Sequence, residues 1–123
     1  MLSKEQIITV LLELPEKLKA AELSMLEAGW LRVEVERKLT LRKAKIAQEV
    51  AEEVDENGKK RYSNQEARES ALELRLSQDE EYRKLLEEWK EAMRKEELAK
   101  CELNHQKSRL KVAELLTNLI KEE

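Results

Sequence analysis

Residues 82–120 read YRKLLEEWKEAMRKEELAKCELNHQKSRLKVAELLTNLI, and the phase of this stretch decides the fold. Tyr82, Leu85, Trp89, Ala92, Glu96, Ala99, Leu103, Gln106, Leu110, Ala113, Thr117 and Ile120 recur at alternating spacings of three and four. That period puts them on one seam of a single long α-helix. A helix cannot bury such a seam alone. It needs a partner helix, from the same chain or from another copy.

An earlier segment supplies a matching stripe. Between Pro15 and Val54, the residues Leu18, Ala21, Met25, Ala28, Val35, Leu39, Ile46, Val50 and Val54 form one apolar line, interrupted by Arg32 and Arg42. Leu23, Leu26, Trp30 and Val33 widen its first half, which predicts contact with more than one helix. Gly29, near Ala20, Ala21, Ser24 and Ala28, is either a point of close helix approach or a tolerated helix glycine.

Three further segments punctuate the chain. Ser3 with Gln6 makes a capping box, followed by Ile7, Ile8, Val10, Leu11, Leu12 and Leu14 on nearly all sides of a short helix over 3–14. Pro15 lacks an amide donor and restricts Leu14, which predicts a break or sharp bend there. Asp55-Glu56-Asn57-Gly58 ends the long helix of 15–54, because Asn-Gly accepts positive φ. The expectation for 55–63 is a simple loop rather than a small two-stranded ribbon. Ser63 with Glu66 forms a second predicted capping box, opening a helix over 64–121. Ser77 with Glu80 is either a third box marking a bend or an ordinary surface serine.

The fold class expected is therefore all-α, in a single domain. Two long helices form an antiparallel coiled-coil hairpin, with the short N-terminal helix packing at the open end beside Val112, Leu115, Leu116, Leu119 and Ile120. That end is expected to be the stable one. Folding the chain at Gly58 brings Arg32 near Glu96, so the charged interruptions of the two stripes form a register pair or reach solvent separately.

Composition agrees with this class. Of 123 residues, 41% are charged and only 3% aromatic, with no Phe, two Gly and one Pro. That is the usage of long helices and coiled coils, and the 41% of apolar residues in regular phase argues against disorder. The net charge of −3 is a near-balance of 24 basic and 27 acidic residues, which disfavours a general nucleic-acid binder. One Cys precludes an intrachain disulfide and fits a reducing cytoplasm. No apolar run is long enough to span a membrane, and the first residues lack a secretory leader's pattern. The expected location is cytoplasmic.

The residue types needed for chemistry are sparse. Cys101 and His105 share a helix face four residues apart, but zinc takes four ligands, or three and water, and no other Cys or His exists. The adjacent glutamate pairs point in different directions on a helix and suit solvated faces with i, i+4 partners. There is no Gly-rich phosphate loop. The chain is expected to be no enzyme, with no cofactor, metal or small-molecule substrate.

Two regions invite a binding role. Lys59, Lys60 and Arg61 concentrate positive charge at the turn beside Tyr62, where phosphates and a base could be held. Asp55 and Glu56 flank them, so a solvated turn is the plainer reading. A second basic group, Arg37, Lys38, Arg42, Lys43 and Lys45, lies along the first long helix. The other region is the apolar end, where Ile7, Val10, Leu11, Leu14, Leu115, Leu116 and Leu119 form a candidate surface for self-association or a protein partner.

The order Leu14-Pro15, a long amphipathic helix, Asn57-Gly58-Lys59, Tyr62-Ser63-Asn64-Gln65-Glu66-Ala67-Arg68 and a second long helix resembles a known group. It is similar to small helical proteins of unassigned activity from phage and prophage early regions, often near genes for single-strand annealing, replication or recombination. The likeness covers nearly the whole chain and is most specific at the turn. It implies no catalytic residues and points to an accessory of phage DNA metabolism. The leading expectation is an adaptor or modulator, with a protein partner and self-association into a homo-oligomer. The alternatives are a single-stranded nucleic-acid binder using the turn, and a structural protein such as a scaffold or assembly chaperone.

Overall fold

A computed structural model describes residues 3–122, which form three α-helices: α1 (Lys4–Glu52), α2 (Gln65–Gln78) and α3 (Glu80–Glu122). Helix α1 starts at the predicted capping box. The Ser3 amide donates to Gln6 Oε1 at 2.8 Å, and the Gln6 amide donates to Ser3 Oγ at 3.2 Å.

Pro15 lies inside α1, so among the described residues the predicted short helix over 3–14 is the first part of α1 and not a separate element. The helical backbone continues where a break is predicted. The reason is phase: Ile7, Leu11, Leu14, Leu18, Ala21, Met25 and Ala28 continue one three-and-four ladder across the proline. Ile7, Leu14 and Ala21 are buried, Leu14 completely, while Pro15 stays exposed. A proline within a helix costs about 3 kcal/mol. Burying an Ile or Leu side chain returns roughly 1.5–3 kcal/mol each, enough to offset it.

The segment after α1 is more ordered than the expected loop. Val54 and Lys60 form an isolated antiparallel bridge. Around it, the Asp55 amide donates to the Lys59 carbonyl at 2.7 Å and the Arg61 amide to the Glu53 carbonyl at 2.9 Å. Asp55 also collects two turn amides on its carboxylate, Asn57 at 2.9 Å and Lys59 at 3.1 Å. Among the described residues, Gly58 alone takes positive φ, at 77°.

The α2 cap sits on a residue other than the one predicted, whereas at Ser77 the surface-serine reading holds and the break between helices falls at Asp79. Asn64, not Ser63, caps α2, accepting the Ala67 amide at 2.7 Å. Asp79, not Ser77, separates α2 from α3: its backbone is extended and its carboxylate accepts the Tyr82 amide at 2.8 Å. Asn and Asp are caps at least as strong as Ser, and each lies nearer the helix it opens. Ser77 instead donates to the Leu74 carbonyl.

The chain divides into two units, one comprising Met1–Trp30 and Met93–Glu123, the other Leu31–Ala92. In the first, Ile7, Leu14, Ala21, Gln106 and Ala113 are buried; in the second, Val35, Ile46, Val50, Leu76, Leu85 and Ala92. Every ladder position from Tyr82 to Ile120 is buried or half-buried. Gln106 is polar but satisfied, donating to Glu102 at 2.8 Å and accepting from Arg109 at 3.2 Å. Among the described residues, no helix is long and apolar enough to cross a membrane.

Candidate functional site

The basic turn keeps less of its charge available than its sequence implies. Lys59 and Lys60 are exposed. Arg61, however, donates to Glu53 at 3.3 Å, and its guanidinium lies 6.0 Å from the centre of the Tyr62 ring. Tyr62 is half-buried, and its carbonyl accepts from Arg68 at 3.3 Å. The ring face that would stack a base is thus shared with Arg61. The second Glu53 oxygen takes Arg75 from α2.

Two residues of the basic group on α1, Arg37 and Arg42, are similarly committed. Arg37 bonds Glu34 through two nitrogens, at 3.2 and 2.6 Å. Arg42 makes a two-pronged contact to Asp79 at 2.9 and 2.7 Å and reaches Glu81 at 3.2 Å. The Arg42 bonds, then the Tyr82 amide, hold the Asp79 carboxyl at about 2; the same pairing raises Arg42. The charged interruption at Arg42 therefore has a partner from the α2–α3 junction.

The other interruption, Arg32, lies in the second unit, whereas Glu96 lies in the first. Within its unit Arg32 donates to both oxygens of Glu36 at 3.0 Å. Glu36 also accepts from the Trp89 indole at 3.2 Å. Trp89, then Arg32, keep the Glu36 carboxyl below its ordinary range. Sequence reasoning placed Glu36 on a solvated face with an i, i+4 partner or a nearby arginine and did not single out Arg32, four residues before it, as that partner.

The apolar end is the second candidate surface. Of the residues singled out there, Ile7 and Leu14 are buried within the first unit, and Val10, Leu11 and Leu116 are half-buried. Leu115 and Leu119 are open, each 58% exposed. Ile7, Val10, His105, Arg109, Val112 and Leu116 contribute to the lining of an open groove of about 380 Å³. Beside it, Val112, Leu115 and Leu119 leave an apolar strip on α3. Ile8 and Leu12, absent from the predicted surface, are exposed on α1. Their signal was phase: the ladder that buries Ile7 and Leu14 turns Ile8 and Leu12 outward.

Cys101 and His105 are both exposed, and His105 borders the groove. Among the described residues, no group of three or more His, Cys, Asp or Glu is placed to hold a metal ion. What the groove and the strip beside it offer is apolar contact. Comparison with known proteins gave no matching family model, no matching curated protein and no matching solved structure.

Proposed function

We propose that this chain is a non-enzymatic interaction protein, an antiparallel coiled-coil hairpin acting as an adaptor or modulator in a phage or prophage DNA replication or recombination assembly. The observation that carries the reading is the apolar groove beside Val112, Leu115 and Leu119. A groove flanked by exposed leucines fits the apolar face of a partner helix, whose anchors recur at i, i+3, i+4 and i+7. The resemblance at Asn57–Arg68 supplies the biological setting. Arg32 and Glu96, as a register pair, would align the hairpin more than stabilise it.

The test is co-purification from cells of the native host, using the wild-type chain and a Leu115→Glu, Leu119→Glu variant. The expected result is a specific DNA-replication or recombination protein that accompanies the wild type and is lost from the variant. Finding no such protein in the native context would remove the adaptor reading. Exposure of Lys59 and Lys60 supports one alternative, direct contact with single-stranded nucleic acid. In that case fluorescence anisotropy would show salt-dependent binding, abolished by Lys59→Ala, Lys60→Ala and Arg61→Ala.

A further inference from the structure

Helix α1 carries two stripes within the first unit, and only one is covered. Ile7, Leu14 and Ala21 are buried, while Ile8 is 48% exposed, Leu12 76%, Leu23 51%, Leu26 55% and Trp30 65%. With exposed Pro15 and Lys19, these residues form a second line along the helix. Counted from Lys19, their positions are −11, −7, −4, 0, +4, +7 and +11. Steps totalling 11 residues make three helical turns, so the line stays on one side of a straight helix. The spacing is also palindromic.

A palindromic stripe is self-complementary under a twofold axis, the condition for an isologous dimer. From this we infer that a second copy of this chain covers the stripe, with α1 packing antiparallel on α1 and the axis passing at Lys19. In that register Ile8 faces Trp30 of the second copy, Leu12 faces Leu26, and Pro15 faces Leu23. The large indole meets an aliphatic side chain and the small ring meets a leucine. Lys19 meets its own equivalent, with Glu16 and Glu22 of the other copy diagonal to it, so its charge is answered. One polar residue in an apolar seam fixes register while weakening association.

The area suits a dimer. The exposed parts of the five large side chains amount to on the order of 600 Å² per copy, so pairing covers roughly 1,200 Å², above the ~1,000 Å² expected of a specific interface. The chain exposes 9601 Å² in all, whereas about 6,900 Å² is typical of a compact monomer of this length. This interface rests on the reading of the chain as an interaction protein, but it uses α1 and leaves the α3 strip for a different partner.

The experiment is sedimentation equilibrium of the full chain over a range of concentrations, with circular dichroism to check helicity. The wild type is expected to be a dimer at micromolar concentration. The Leu12→Glu, Leu26→Glu variant should stay helical and sediment as a monomer, because both positions are exposed in the single chain. Lys19→Leu should tighten association at least tenfold. In a Cys101→Ser background, Lys19→Cys should form a disulfide-linked dimer under mild oxidation, whereas Ile8→Cys alone should not. A wild-type monomer throughout, a dimer that survives the double change, or cross-linking at Ile8→Cys but not Lys19→Cys would each overturn the proposal. A monomer that still captures a host protein through Leu115 and Leu119 would defeat the dimer and leave the adaptor standing. A dimer without capture would do the reverse.

Discussion

Asp79 holds Arg42 and the Tyr82 amide at once, and its acidity registers both. The folded chain keeps this carboxyl at about 2, below the ordinary 3.8. A depressed carboxylate favours the folded state above its unfolded value, and that contribution fades as pH falls from 3.8 through about 2. Asp79→Asn should therefore lower the melting temperature at neutral pH and flatten its fall across that acid window. Thermal melts of both proteins at several pH values check this; equal slopes would show that Asp79 contributes nothing there. Two glycines give opposite expectations. A Cβ at Gly29 would meet Glu96 Oε2 at 3.5 Å, an ordinary contact. Since alanine is favoured over glycine in helices by about 1 kcal/mol, Gly29→Ala should stabilise the chain by roughly 0.5–1 kcal/mol in urea unfolding. Gly58 sits at φ 77°, so Gly58→Ala should cost about 1–2 kcal/mol. The tolerated-glycine reading of Gly29 fits this geometry, and the turn at Gly58 was legible directly. The caps were legible less evenly. Ser3 has only Gln6 to work with, whereas Ser63 and Ser77 each stand near a capping residue at least as strong that lies nearer the following helix, Asn64 and Asp79.

Helix α1 shows why periodicity outranks a single breaker. Pro15 removes one amide bond, but the stripe through Leu14 and Leu18 keeps its phase on both sides, and a break would expose what the stripe buries. The prediction at this scale compares neighbours. Leu14 is fully buried and Leu12 is 76% exposed. Leu14→Ala should therefore cost about 2–5 kcal/mol, against no more than about 0.5 kcal/mol for Leu12→Ala. Urea unfolding at a concentration too low for self-association makes the comparison, and equal costs would place the two leucines in similar surroundings. The α3 ladder was readable because no residue breaks its phase from Tyr82 to Ile120. The bridge between Val54 and Lys60 was legible only as the lesser of two readings, because it depends on Asp55 collecting two amides. Three-dimensional closure of that kind leaves no periodic trace. The candidate surface was half legible for the same reason: Leu115 and Leu119 were identified, while Ile8 and Leu12 required knowing that the phase passes through the proline.

For the whole molecule, the abundance of apolar residues near both chain ends reads as a strong core, but burial is distributed otherwise. Two large aliphatic side chains, Ile7 and Leu14, are buried in the unit of Met1–Trp30 and Met93–Glu123, with Ala21, Ala113 and Gln106. Leu31–Ala92 buries Val35, Ile46, Val50, Leu76 and Leu85 besides Ala92. At about 0.8 kcal/mol per buried methylene, the second unit holds the larger share of the stabilisation that comes from buried rather than half-buried side chains among the described residues. A sequence records how apolar a segment is; whether its leucines are covered depends on a partner that one chain does not supply. The expected consequence is seen in native-state hydrogen exchange, which measures local opening. In dilute solution, amides of 4–30 and 97–120 should exchange faster than those of 35–50 and 80–92. Raising the concentration should slow exchange in 8–30 most, since a second copy on the α1 stripe adds the burial that this unit lacks. Slower exchange at the chain ends in dilute solution would mean that the groove and the exposed leucines weaken that unit less than their uncovered area implies.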